Sequence, residues 1–278
     1  MKILLCFFVL IPVARCQDVR EEIITKTLRF PASGPERSLL VDNVQGSIVV
    51  TAYEGETVEM TAVRRTRAKS DEKFREASED VVLEIQELRS RIELVVDAPW
   101  RNRWNRHDFR GYRYYGYEVS FDFELKVPRS LNLYLHTVND GDIEVRDVSG
   151  SFEIKNVNGD VTMTEISGSG HASTVNGSLR VGFKMNPAEE CTFRTVNGSV
   201  EVSFRDPFSA DLFLKTLNGK AYTDFDVTAV PRTVPAIREK RGKKIYRAGD
   251  AYAVRAGRGG PRLAFDTLNG SIHILKHQ

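Results

Sequence analysis

LNLYLHTVNDGDIEVRDVSGSFEIKNVNGDVTMTEISGSGHASTVNGSLRVGFKMNPAEECTFRTVNGSVEV, residues 131–202, returns one short turn phrase at fixed intervals. The phrase reads Val138-Asn139-Asp140-Gly141, Val148-Ser149-Gly150, Val157-Asn158-Gly159, Ile166-Ser167-Gly168, Val175-Asn176-Gly177 and Val196-Asn197-Gly198. Relatives stand at Val44-Gln45-Gly46, Leu217-Asn218-Gly219 and Leu268-Asn269-Gly270. Glycines 141, 150, 159, 168 and 177 lie nine residues apart, and those at 198 and 219 each follow after twenty-one. Such self-similarity marks a repeat architecture.

Measured from each glycine, apolar residues recur seven, five and two positions before it, then two and four after. For Gly159 these are Phe152, Ile154, Val157, Val161 and Met163; for Gly198 they are Cys191, Phe193, Val196, Val200 and Val202. Gly141 fits once Asp140 is taken as an inserted residue. Spacing of two on either side is strand alternation, with one face dry and one wet. The glycine marks a corner, where a residue without Cβ takes a positive φ cheaply. Corners alternate between Asn-Gly and Ser-Gly, so the full period is eighteen residues, with two strands per coil. The twenty-one-residue steps add three residues around Pro187 and Pro207.

Stacked coils bury inward side chains that a single coil cannot. Stacking would also align Asn158, Asn176, Asn197, Asn218 and Asn269 in one column, with Thr174, Thr195, Thr216 and Thr267 beside it, as in other parallel stacks. It places Arg180 next to Glu201 as an opposite-charge pair. The competing reading is a meander of Asn-Gly hairpins. In a two-residue hairpin, the residue two before glycine would pair with the one just after it. Here the former is apolar and the latter polar (Asp142, Ser151, Asp160, Ser178, Ser199), so the two cannot share a face. The expected fold is all-β: a right-handed parallel β-solenoid of about 18-residue coils, two strands per coil.

Upstream, residues 1–16 (MKILLCFFVLIPVARC) read as a signal peptide, with a basic residue, an apolar run and small residues before a cut. Residues 17–278 form a single expected domain without a transmembrane span, placed outside the cytoplasm in the periplasm, envelope or medium. Arg15 directly before Cys16 argues against lipid anchoring there. Without Lys2 and Arg15, the count of Lys and Arg falls from 40 to 38, equal to the 38 Asp and Glu. Cys191 sits at an inward offset and reads as a buried hydrophobe. Around Gly46, Leu39, Val41, Val44, Ile48 and Val50 repeat the coil offsets. Ser70 with Phe74, Ala77 and Val81 predicts one short helix over 70–80. Residues 81–85 and 91–96 predict a hairpin, and 117–127 a long alternating strand that ends at Pro128.

Two irregular excursions break the pattern. Residues 99–117 contain Trp100, Arg101, Arg103, Trp104, Arg106, Arg110, Tyr112, Arg113, Tyr114 and Tyr115. Interleaved arginines and aromatics stack on sugar rings and pair with carboxylate or phosphate, so these ten are the candidate ligand contacts. The bland alternative is a loop that folds its aromatics over an open end of the core. Residues 226–262 form a basic insertion, with ten basic against three acidic residues. Anionic glycan, envelope polymer or another envelope protein fits these excursions; nucleic acid is not expected outside the cytoplasm. None of His107, His136, His171, His273 and His277 has a second histidine or a cysteine at ligand spacing, so no metal or cofactor is expected. Without a nucleophile elbow, phosphate loop or Cys/His pairing, no enzyme is expected. The alternative is a carbohydrate-active β-helix enzyme with two facing carboxylates.

The T-V-N-G and V-S-G-S phrases, with the strand-P-x-S-L-x-L entry at Leu125 to Leu133, resemble the bacterial putative-adhesin family of β-strand-repeat proteins, a domain of unknown function. The resemblance covers about residues 38–276. It implies an all-β solenoid, an extracytoplasmic site and a non-enzymatic interaction scaffold of unknown ligand, with no catalytic residues to carry over.

Overall fold

The computed structural model describes residues 18–31, 36–99, 101, 115–230, 238–240, 243–245 and 251–277. The leader and Cys16 lie outside them, as do most of loop 99–117 and parts of the 226–262 insertion. The architecture is all-β with one helix among the described residues: two large, mostly parallel sheets of ten and eleven strands that do not close. Each Asn-Gly corner joins a strand of one sheet to a strand of the other. Phe152–Lys155 belongs to the eleven-stranded sheet, and Val161–Ile166, across Asn158-Gly159, to the ten-stranded one.

Neighbouring units pair in parallel. Phe152 lies opposite Gly170 and Val161 opposite Leu179, steps of eighteen; His171 opposite Thr192 and Leu179 opposite Val200 are steps of twenty-one. Inward residues from both sheets form one buried cluster that runs from Leu28 to Ile274. Phe183 and Phe193 meet across the two sheets at 6.2 Å, edge to face, and Phe183, Phe204, Phe208 and Phe225 continue as a row with centroids 4.3–5.2 Å apart. Cys191 is fully buried, and burial pushes its thiol up to about 11.

The corner columns exist. Asn158 donates to Asn139 at 2.9 Å, Asn176 to Asn158 at 2.8 Å and Asn197 to Asn176 at 2.7 Å. Beside them Thr174, Thr195 and Thr267 donate to the glycine carbonyls of the adjacent unit at 2.8–2.9 Å, which pairs buried hydroxyls that would otherwise be costly. Gly46, Gly159 and Gly198 take the expected positive φ, at 109°, 157° and 155°, and close packing adds a second requirement. A Cβ on Gly177 would lie 2.1 Å from the Gly159 carbonyl oxygen, and one on Gly198 2.0 Å from that of Gly177. Close approach of stacked backbones thus excludes other residues at Gly177, and does so together with the positive φ at Gly198. Asp140, the inserted residue, takes φ 51°. Arg180 does stand beside Glu201 in register, but its ion pair runs to Asp160 at 3.0 Å.

Stack order departs from chain order at both ends. Asn269 donates to Asn197, and Asn218 donates to Asn269, so the last unit (Arg262–Asn269, Ile272–Lys276) lies between 191–204 and 210–223. At the other end Ser38–Asp42 and Ile48–Tyr53 lie between 91–128 and 132–146. Each is thereby paired on both sides, leaving no row of unmet backbone N–H and C=O groups. The insertion makes the return possible: Ala251–Ala256 runs antiparallel to Ala210–Asn218 and, with Val227–Ala229, extends that edge.

The predicted helix forms as Asp71–Asp80, capped by Ser70, whose hydroxyl accepts from the Lys73 amide at 3.3 Å. It follows Val58–Ala68 of one sheet and precedes Val82–Glu87 of the other, and it buries Phe74 and Ala77 in the core. The helix therefore covers this end of the interior; whether the Arg/aromatic loop does so as well lies outside the described residues.

Candidate ligand groove

The outer face of the eleven-stranded sheet carries a groove of about 380 Å³. Four neighbouring strands build it: Arg91–Asp97, Ser38–Asp42, Asn132–His136 and Phe152–Lys155. Alternation sends Leu39, Val41, Leu133, Leu135 and Ile154 inward, leaving Leu40, Asp42, Tyr134, His136, Glu153 and Lys155 on the opposite face. Tyr134 is 37% exposed, and the Arg91 guanidinium lies 5.2 Å from its ring centroid. Lys155 pairs with Glu153 at 2.5 Å and Arg91 with Glu93 at 3.0 Å. An aromatic ring flanked by planar and charged hydrogen-bonding groups suits a polar ring ligand.

One end of the groove is held by a charged network. Arg101 Nη1 donates to Asp42 Oδ2 at 2.6 Å; Nη2 donates to Oδ1 at 3.0 Å and to the Asp42 carbonyl at 3.1 Å. His136 Nδ1 lies 3.0 Å from Asp42 Oδ1. A carboxylate only accepts, so Nδ1–H donates and Nε2 remains the nitrogen available to a ligand. Burial alone would push the Asp42 carboxyl up. Hydrogen bonds from His136 and Arg101 and the Arg101 charge outweigh it, holding the group at about 2.

Arg101 is thus buried (8% exposed) and fixes the root of the Arg/aromatic loop to the groove. Tyr115, at the other root, packs partly buried against the core, its ring 6.0 Å from that of Tyr117. Trp100, Arg103, Trp104, Arg106, Arg110, Tyr112, Arg113 and Tyr114 lie outside the described residues. Alternation along Asn132–His136 puts Tyr134 and His136 on one face, but the sequence does not show Asp42 and Arg91 as their neighbours, because 91–97 and 38–42 stack out of chain order. Among the described residues no cluster of three His, Cys, Asp or Glu could hold a metal ion, and no helix is long and apolar enough to cross a membrane.

Residues 129–231 match the family model described as Toastrack DUF4097. No curated protein matches the chain. Similar solved structures include a putative cell adhesion protein from Clostridium sporogenes, 12% identical, covering 94% of this chain and 100% of that one with a TM-score of 0.41. A putative adhesin from Bacteroides fragilis is 10% identical, covers 92% and 97%, and scores 0.40. A putative lipid binding protein from Parabacteroides distasonis is 9% identical, covers 92% and 97%, and scores 0.29.

Proposed function

We propose, taking the Toastrack match in the repeat segment as premise, that this chain is a non-enzymatic interaction scaffold of the cell envelope or its surroundings. In this reading the two sheets are the walls of one right-handed β-solenoid with coils of about eighteen residues, the handedness following the general preference of parallel crossovers. Its stacked interior is dry, so recognition falls to the outer faces and loops. Residues 1–16 direct export, and 17–278 act as one domain.

The carrying observation is the Arg101–Asp42–His136 network, which ties the root of the Arg/aromatic loop to a groove lined by Tyr134, Arg91 and Lys155. Groove and loop together offer an aromatic platform and cations. The ligand class that fits is a carboxylated or otherwise anionic glycan. The test is a glycan array probed with residues 17–278. We expect acidic glycans to be retained over neutral ones, with binding that falls as salt rises. Tyr134→Ala, or joint replacement of Arg103, Arg106, Arg110 and Arg113 by Ala, should lower that signal at least tenfold. Retention unchanged by either set would dismiss the groove-and-loop site; turnover of an array polysaccharide would favour the carbohydrate-active reading.

A further inference from the structure

We infer that two copies of this chain pair through the edge strand Asp18–Leu28, antiparallel about a twofold axis at Ile24. This strand is the outermost member of the ten-stranded sheet, and among the described residues no strand lies on its far side. It is 11 residues long, whereas the other outer strands, Val82–Glu87, Ala221–Thr223 and Val227–Ala229, run 6, 3 and 3 residues. Native sheets keep open edges short, because a long one is a template for another chain. Its outer face also leaves Val19 and Ile23 in solvent, 55% and 65% exposed.

Charge placement selects the partner. Opposed residues of an antiparallel pair share a face, so a twofold axis normal to the sheet must set one residue against its own copy. Centred on Glu22, the pairing opposes two like carboxylates. Centred on Ile23, it opposes Arg20 to the partner's Lys26 twice. Centred on Ile24, it sets Ile24 against the partner's Ile24 and Glu22 against the partner's Lys26 twice, with no like charges opposed. Among the described residues Lys26 has no ion-pair partner within the chain, while Arg20 is already engaged by Asp71 and by the Phe74 ring at 3.9 Å. The same register brings the two exposed Ile23 side chains into diagonal contact across the seam. The ten-stranded sheets of both copies thereby become one continuous sheet. The particle presents two outer faces, so a polymeric ligand meets both with an avidity neither face has alone.

Sedimentation equilibrium on residues 17–278 tests this, with Glu22→Lys, Lys26→Glu and the double exchange as variants. The wild type should dimerise below about 0.1 mM. Each single reversal opposes like charges twice and should raise the dissociation constant roughly tenfold. The double exchange recreates both pairs with reversed sense and should restore the wild-type constant within about threefold. Thermal melts confirm that all three variants fold, since Glu22 also approaches Arg64 at 3.6 Å. A monomer throughout, a dimer indifferent to the single reversals, or a folded double exchange that fails to recover would each overturn the proposal.

Discussion

Asp42 is where one residue's chemistry reaches furthest. Its carboxyl, held at about 2 against an ordinary value of 3.8, is a depressed group. Its stability contribution is fully present above pH 4 and is lost as pH falls through about 2, because the unfolded chain takes up the proton first. Denaturant titrations between pH 5 and 2 should show a loss of about 2 kcal/mol attributable to this site. Asp42→Asn should remove that segment of the pH dependence while leaving Arg101 buried against a neutral amide; an unchanged profile would mean the network is not formed. The corner glycines give a second prediction at this scale. Gly177→Ala would set its Cβ 2.1 Å from the Gly159 carbonyl oxygen and must push the two backbones apart, so it should cost about 3 kcal/mol or more, or prevent folding. Thr195→Val, which strands the Gly177 carbonyl without its hydroxyl donor, should cost about 1–3 kcal/mol.

Elements were legible wherever a local pattern specified them. Two-residue alternation around each glycine marked the strands, and Ser70 followed by Phe74 and Ala77 marked the helix. The Asn column was legible too, because identical corners at equal spacing can only meet if the strands run parallel. Stack order was not. Units 191–204, 210–223 and 262–276 present the same Asn, Thr and Gly at the same offsets, so nothing local tells which lies on which. For the same reason the groove was not legible: Arg91, Asp42, Tyr134 and Lys155 come from four strands, two of them out of chain order. The helix carries this scale's prediction. If it seals the core, Phe74→Ala should lower unfolding free energy by about 3–5 kcal/mol, measured by urea titration. Were Phe74 merely a surface group, the change would stay within about 0.5 kcal/mol.

Across the whole molecule, the first and last coil units, 38–53 and 262–276, are each enclosed within the stack. Antiparallel strands, the helix and the folded-back insertion lie beyond them. This arrangement protects the parallel ladder from fraying at either terminus. It also makes cooperative unfolding the expectation, since removing the last unit would separate 191–204 from 210–223. The most direct measurement is disulfide trapping between Asn column positions, with Cys191 left in place because its buried thiol, pushed up to about 11, stays protonated and inaccessible. Adjacent strands lie about 4.8 Å apart, within disulfide reach, whereas strands two apart do not. Asn197→Cys with Asn269→Cys should therefore crosslink, as should Asn218→Cys with Asn269→Cys, while Asn197→Cys with Asn218→Cys should not. Crosslinking of 197 to 218, or failure of 197 to reach 269, would contradict the parallel stack and its enclosed last unit.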